Sequence, residues 1–206
     1  MHRQHVGRLL STYRDFWIDS GFHYPNQKLK QELKTWQIFV EFVDTQAACF
    51  DRELELGHIT GSALVLDEKA ERLLLLHHKK LNKWLQLGGH SDSNPNSLEV
   101  ALKEAYEESG LTSLKLSNWF ERLKPASSCQ VLDLDIHAIP ERKKEPAHYH
   151  YDIRFVFKVA DGNHNFVINE EANELRWVAI DKVSSLTDEE SMLRQVDKLM
   201  ALRDFL

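Results

Sequence analysis

The spacing of apolar positions changes once along the chain, near Gly57. Before it, Val6, Leu9, Leu10, Tyr13, Phe16 and Trp17 recur at the i, i+3, i+4, i+7 intervals of an amphipathic helix. The stretch GFHYPN at 21–26 interrupts this pattern through Gly21 and Pro25. Leu29, Leu33, Trp36, Phe39, Val40 and Val43 then restore it over 27–48. Residues 1–50 are expected to form a helical N-terminal extension, and 51–206 the main domain.

After Gly57 the pattern is that of strands. GSALVLD (61–67) and RLLLLHH (72–78) flank the turn-like EKAE and predict a hairpin. WLQL (84–87), VLDLDIHAI (131–139), HYHYDIRFVFKVA (148–160) and ELRWVAI (174–180) predict further strands. Residues 185–206 close the chain as an amphipathic helix. This order of elements predicts an α/β fold with a central sheet flanked by helices.

One helix stands out among the strands, in LQLGGHSDSNPNSLEVALKEAYEESGL (85–111). Asn96 is its expected N-cap, with Glu99 three residues on as in a capping box. Gly110 is its expected C-terminal stop. Leu98, Ala101, Leu102 and Ala105 form the stripe expected to pack on the sheet. Glu104, Glu107 and Glu108 fall on a flank of that stripe at i, i+3, i+4, so their carboxylates converge within one turn. Such a cluster is either a solvated acidic face or a site for a hard divalent cation, which prefers oxygen ligands.

Composition changes this picture little. The formal net charge of −6 over 206 residues carries no basic excess of the kind that marks a nucleic-acid surface. Two cysteines, Cys49 and Cys129, are too few for a disulfide framework or a thiolate cluster. No apolar run reaches the length of a membrane span, and the N-terminus carries no signal-peptide core. A cytoplasmic protein with no nucleic-acid or membrane partner is expected.

From Gly89 to Leu111 the stretch resembles the Nudix box: a glycine, five residues, Glu, seven residues, Arg-Glu, an apolar residue, any residue, Glu-Glu, any residue, glycine and an apolar residue. Gly89, Glu104, Ala105, Glu107, Glu108, Gly110 and Leu111 stand in their places. Pro95 replaces the early Glu and Lys103 replaces the Arg. In the family those two brace the loop against the helix, and Lys lacks the planar fork of Arg. The resemblance spans roughly 57–182, and IPERKKEPAHYHYDIRF with ELRW is similar to a bacterial subgroup of that family.

The resemblance implies an α/β/α sandwich with a mixed sheet. It also implies metal-dependent hydrolysis of a diphosphate linkage in a nucleoside diphosphate joined to another moiety. Glu104, Glu107 and Glu108 would hold Mg²⁺ or Mn²⁺, with the Gly89 carbonyl as a further ligand. Glu107 is one candidate to activate the water, and Glu171 or Glu170, before the last strand, is another. A non-catalytic nucleotide-sensing domain is the alternative, and a homodimer is compatible with the N-terminal helices.

Eleven histidines make a second constellation. His148, His150 and Asp152 alternate along one expected strand, as do Asp133, Asp135 and His137 on the preceding one, so a polar ladder forms if the two pair. His137, Asp135 and Asp152 are candidates for substrate binding there, and Arg154 on the same face is a phosphate candidate. His58, His90, His148 and His150 also stand where the Nudix-fold isopentenyl-diphosphate isomerases have metal ligands. That likeness implies a second site, for Zn²⁺ or Mn²⁺. The same likeness argues against isomerase activity, because Gly88 stands where the catalytic cysteine would be. Trp84 and Trp177 are expected in the core, and Arg142, Lys143 and Lys144 form a short basic loop.

Overall fold

The computed structural model describes residues 2–123, 128–142, 146–170 and 172–206. The extension forms α1 (Gln4–Tyr13), which widens into one π-helical turn over Arg14–Ile18, and α2 (Leu29–Thr45). Strand β1 (Gly57–Leu66) is buried along its whole length and is the axis of an eight-stranded mixed sheet. It begins four residues before the stretch that its apolar run predicts, because Gly57–Thr60 pair with the neighbouring strand β7 (His148–Val159).

β1 and β7 run parallel, and β7 is buried from Tyr151 to Phe157. β2 (Arg72–His78) and β4 (Leu87–His90) pair antiparallel with β1. β3 (Lys83–Leu85) and β8 (Ala172–Ala179) pair with β2. β5 (Leu114–Leu116) and β6 (Val131–Ile139) pair with β7. The single strand expected at 84–87 is thus two, since the chain leaves β2 and crosses to β1 at Gln86. α4 (Trp119–Leu123) is short, and α5 (Glu190–Ala201) follows a 3₁₀ stretch over Ile180–Ser185. No helix among the described residues is long and apolar enough to cross a membrane.

Helix α3 (Ser97–Ser109) packs on β1 and β4, while α1, α2 and α5 cover β6. Its caps match the sequence: the Asn96 side chain accepts from the Glu99 N–H, and Gly110 is left-handed at φ 67°. Its buried face matches in part. Ala101 and Ala105 are buried as expected, with Ser97, Val100 and Glu108, whereas Leu98 and Leu102 pack only partly against the core. The cause is a close backbone approach. A Cβ on Gly61 of β1 would lie 2.6 Å from the Ser97 carbonyl oxygen and 3.0 Å from the Ala101 nitrogen. Large side chains cannot enter between Gly61 and the Ser97–Ala101 backbone, so that turn of α3 sits directly on the strand.

The extension shares one buried core with the sheet. Val6, Leu10, Tyr13, Trp17 and Phe39 join the same cluster as Ile59, Leu64 and Phe155. The Trp17 indole donates to the Val131 carbonyl at 3.0 Å. A buried ionic network reinforces the junction. Lys198 of α5 lies fully buried over the rings of Tyr13, Trp17 and Tyr24, and binds Glu32 of α2 at 3.2 Å and Asp133 of β6 at 2.7 Å. Asp133 also receives Arg154 of β7 at 3.0 Å and Arg194 of α5 at 2.8 Å.

Three cations thus converge on one buried carboxylate. Burial pushes the Asp133 carboxyl up, but Arg194 first, then Lys198 and Arg154, outweigh burial and hold it well below the usual carboxylate range. The unfolded chain therefore takes up this proton at higher pH than the folded one. The resulting stability is complete at neutral pH and is lost as pH falls below about 4. Removing one partner of a buried ionic group costs about 3–5 kcal/mol. Asp133→Asn is accordingly expected to lower urea-unfolding stability by that amount at pH 7 and to flatten its decline in acid. A loss under about 1 kcal/mol would show that the network contributes little.

Candidate functional site

Strand pairing brings the two sequence constellations together. Across the parallel pair, His58 of β1 stands beside His150 of β7, and across the antiparallel pair His150 stands beside His137 of β6. β4 lies on the other edge of β1, with Thr60 opposite His90 and Gly61 opposite Gly89. The glutamates of α3 meet the same strand. A cleft of about 390 Å³ results, and it is lined by Glu104, Glu108, Gly88 and Gly89 together with His90, His137, His148 and His150.

The carboxylate side is built on glycine backbone. The Gly88 N–H donates to Glu108 Oε2 at 2.8 Å, which fixes a carboxylate that is only 7% exposed. A Cβ on Gly89 would sit 2.6 Å from the Glu104 carboxylate, so only glycine lets that side chain lie over the strand. Gly88, at φ +153°, likewise passes too close to Ser62 for a side chain. Burial pushes the Glu104 carboxyl above its ordinary value; Lys103 opposes the shift and the Glu107 charge adds to it. Glu107 is more exposed and pairs with Lys103 at 3.3 Å. Glu104 and Glu108 therefore line the cleft, whereas Glu107 is exposed on α3 and does not.

The histidine side is a compact cluster. One ring nitrogen from each of His58, His90 and His150 lies within 4.8 Å of the others. The His58 ring centroid is 4.7 Å from that of His150, 5.0 Å from that of His148 and 5.1 Å from that of His90. His58 is buried with neither ring nitrogen hydrogen-bonded, and the Nε2 atoms of His148 and His150 are buried without a partner. His148 Nδ1 donates to the Pro146 carbonyl at 2.8 Å, which orients the ring as a metal ligand's outer nitrogen is usually oriented. Burial first, then neighbouring imidazoles, pushes His58 down to about 4 and His150 down to about 2. Both rings are neutral at pH 7, the form that ligates a metal.

Three sequence expectations need correction or fall elsewhere. Arg154 is not available to a phosphate: it is 1% exposed, and its guanidinium binds Asp152 at 2.7 Å, Asp133 at 3.0 Å and Asp135 at 3.1 Å. Asp135 does not face substrate either; it receives Arg154 and Arg194 and holds His137 Nδ1 at 3.0 Å. Glu171, with Lys143 and Lys144, lies outside the described residues, and Glu170 is exposed. Asp152 does line the cleft, but its oxygens accept from Thr60, Ser62 and Arg154. Thr60 and Ser62 of β1 and Gln86, between β3 and β4, also line the cleft; their polar side chains within apolar runs are the only sign of this in the sequence.

A sequence model of the NUDIX domain matches residues 58–199. The chain belongs to the Nudix family. A relative in Lactococcus lactis subsp. cremoris, described as a probable DHNTP pyrophosphohydrolase, is 26% identical over 105 residues. That match covers 50% of this chain and 55% of the relative, so the chain spans about half the length of the curated protein it matches. Among solved structures, a C. elegans Ap4A hydrolase in a binary complex superposes with a TM-score of 0.54 at 14% identity. It covers 72% of this chain and 98% of its own, and supports the Nudix fold.

The two departures from the Nudix box have local consequences. The loop before α3 is braced without the early glutamate. The Ser93 N–H donates to the Phe50 carbonyl at 3.0 Å, the Ser93 hydroxyl bonds Asp51, and the Asn96 N–H donates to Asn94 Oδ1 at 2.9 Å. Lys103 turns to Glu104 and Glu107 rather than to the loop. Both cysteines are buried away from the cleft, and burial pushes the Cys49 thiol up to about 11 and that of Cys129 up to about 12. Neither replaces the thiol missing at Gly88.

Proposed function

We propose that this Nudix domain is a metal-dependent pyrophosphohydrolase that cleaves the diphosphate linkage of a small phosphorylated compound in the cytoplasm. The observation that carries this reading is the placement of Glu104 and Glu108 in one cleft beside the Gly88–Gly89 backbone. These are hard oxygen donors, one of them fixed by a backbone N–H, and burial works against the Glu104 charge. That donor set fits Mg²⁺ or Mn²⁺. Such an ion, when bound, neutralises phosphate charge and makes a water more acidic.

The chain's own part is to hold and orient. Glu104 and Glu108 supply oxygens from the cleft wall, and the Gly89 carbonyl is a further candidate. Glu107, exposed on the same helix, is proposed to complete the ligand set or to take the proton of the attacking water. The pyrophosphohydrolase name of the Lactococcus relative agrees with this chemistry. The family resemblance makes nucleoside diphosphates joined to a second moiety the first compounds to assay.

The histidine cluster is proposed as a second site, for Zn²⁺ or Mn²⁺. Unpartnered buried nitrogens on His58, His148 and His150 support it, since such groups are costly unless something binds them. Wild-type protein is expected to release phosphate or a nucleoside monophosphate from a panel of diphosphate compounds with Mg²⁺ or Mn²⁺. Glu107→Gln and Glu108→Gln should each lower kcat/KM by at least about 100-fold; unaltered turnover in both removes the catalytic assignment. For the histidines, Co²⁺-loaded protein should bind about one equivalent with visible nitrogen-ligand absorption, retained in Glu104→Gln and lost in His58→Ala. Failure to bind any transition metal after supplementation rejects the second site.

A further inference from the structure

The cleft has two chemically different ends. Four imidazole rings form a row across the sheet, one each on β6, β7, β1 and β4. His137 is 5.3 Å from His150, His150 is 4.7 Å from His58, and His58 is 5.1 Å from His90, ring centroid to ring centroid. Glu104 lies against Gly89, next to His90, at the β4 end of the row. His137 stands at the other end, three strand spacings away, or about 14 Å. A diphosphate held at the glutamates is shorter than that, so the group joined to it is what meets His137.

The polar groups at the β6 end differ in what they leave open. Asp152 accepts from Thr60, Ser62 and Arg154, and Asp135 receives Arg154 and Arg194, so both carboxylates are already engaged. Burial pushes the Asp135 carboxyl up, but Arg154 first, then His137 and Arg194, outweigh burial and keep it ionised. An ionised carboxylate only accepts hydrogen bonds. His137 Nδ1, 3.0 Å from Asp135 Oδ2, therefore carries the hydrogen of that contact. In the neutral ring the lone pair is then on Nε2. Nε2 has no hydrogen-bond partner among the described residues, and the half-exposed ring lines the cleft.

We propose that His137 is a specificity residue: its Nε2 accepts a hydrogen bond from a hydroxyl or N–H of the group joined to the diphosphate, and Asp135 is the positioning residue that keeps this nitrogen free of hydrogen. The inference rests on the pyrophosphohydrolase reading and adds to it a demand on the substrate. A group that brings a hydrogen-bond donor to that end of the cleft is selected over one that brings only acceptors or carbon. The contact is made to the group and not to the phosphorus, so it acts on binding. One neutral hydrogen bond corresponds to about 2- to 12-fold in affinity.

Two readouts test this, one of them without turnover. In nitrogen–proton correlation spectra of the histidine rings at pH 8, the signals absent from His137→Gln are expected to show hydrogen on Nδ1 and none on Nε2. The methylene-bridged analogues of ADP and UDP, added with Mg²⁺, should shift that Nε2 signal; methylenediphosphonate, which carries no second group, should not. With the panel of diphosphate compounds, His137→Ala should raise KM about 2- to 12-fold at little changed kcat. His137→Gln, whose amide oxygen reaches about as far, should recover most of that loss, and Co²⁺ binding should be unchanged in His137→Ala. Hydrogen on Nε2, a shift with methylenediphosphonate, or a fall in kcat at constant KM overturns the specificity role. Loss of Co²⁺ from His137→Ala makes the ring a metal ligand and overturns it as well. Turnover with no Nε2 shift on either nucleoside analogue removes the contact and leaves the hydrolase reading standing. An Nε2 shift with no turnover of any compound removes the hydrolase reading and leaves the contact.

Discussion

The site depends on backbone passing closer to backbone and carboxylate than any side chain allows. At Gly61 β1 touches the first turn of α3; at Gly88 β4 passes Ser62; at Gly89 β4 lies under the Glu104 carboxylate. The strand β4 can therefore present an N–H to Glu108 at Gly88 and lie against the Glu104 carboxylate at Gly89. His90 follows at once and enters the histidine cluster. Two candidate metal-binding groups of different chemistry, carboxylate and imidazole, thus share one four-residue strand.

The second constraint is electrostatic. Asp133, Asp135 and Asp152 lie on adjacent buried strands, and such carboxylates need cations to stay charged. Arg154 answers from the same sheet, while Arg194 and Lys198 answer from α5. Lys198 in turn engages Glu32 from the N-terminal helices. The network joins the extension, the C-terminal helix and the floor of the cleft. It holds Asp135, which orients the His137 ring, and Asp152, which fixes Thr60 and Ser62.

How much of this the sequence shows follows from what periodicity encodes. Period two assigns His148, His150 and Asp152 to one face, and the observed pairing of β6 with β7 completes the ladder. Motif spacing ties Glu104, Glu107 and Glu108 to Gly89. Periodicity carries no information on what crosses from another element. Arg154 therefore reads as a phosphate ligand until Asp133 and Asp135 are seen to surround it. The Leu98, Ala101, Leu102, Ala105 stripe of α3 holds only in part, because the close approach to Gly61 centres the buried face on Ser97 and Ala101 and leaves Leu98 and Leu102 half-buried. The break at Gln86 is invisible in a continuous apolar run, since both halves are strands that differ only in partner.

The proposed divalent-cation site at Glu104 and Glu108 depends on the glycine backbone of β4. Calorimetric titration of Mg²⁺, which prefers oxygen to imidazole ligands, into the full-length protein tests it without reference to any substrate. Wild-type protein is expected to show a site whose affinity falls at least about tenfold in Glu104→Gln. Gly89→Ala, whose methyl group must displace the Glu104 carboxylate, should fall comparably while its thermal unfolding stays close to wild type. Undiminished Mg²⁺ affinity in both variants would remove the glutamates as ligands.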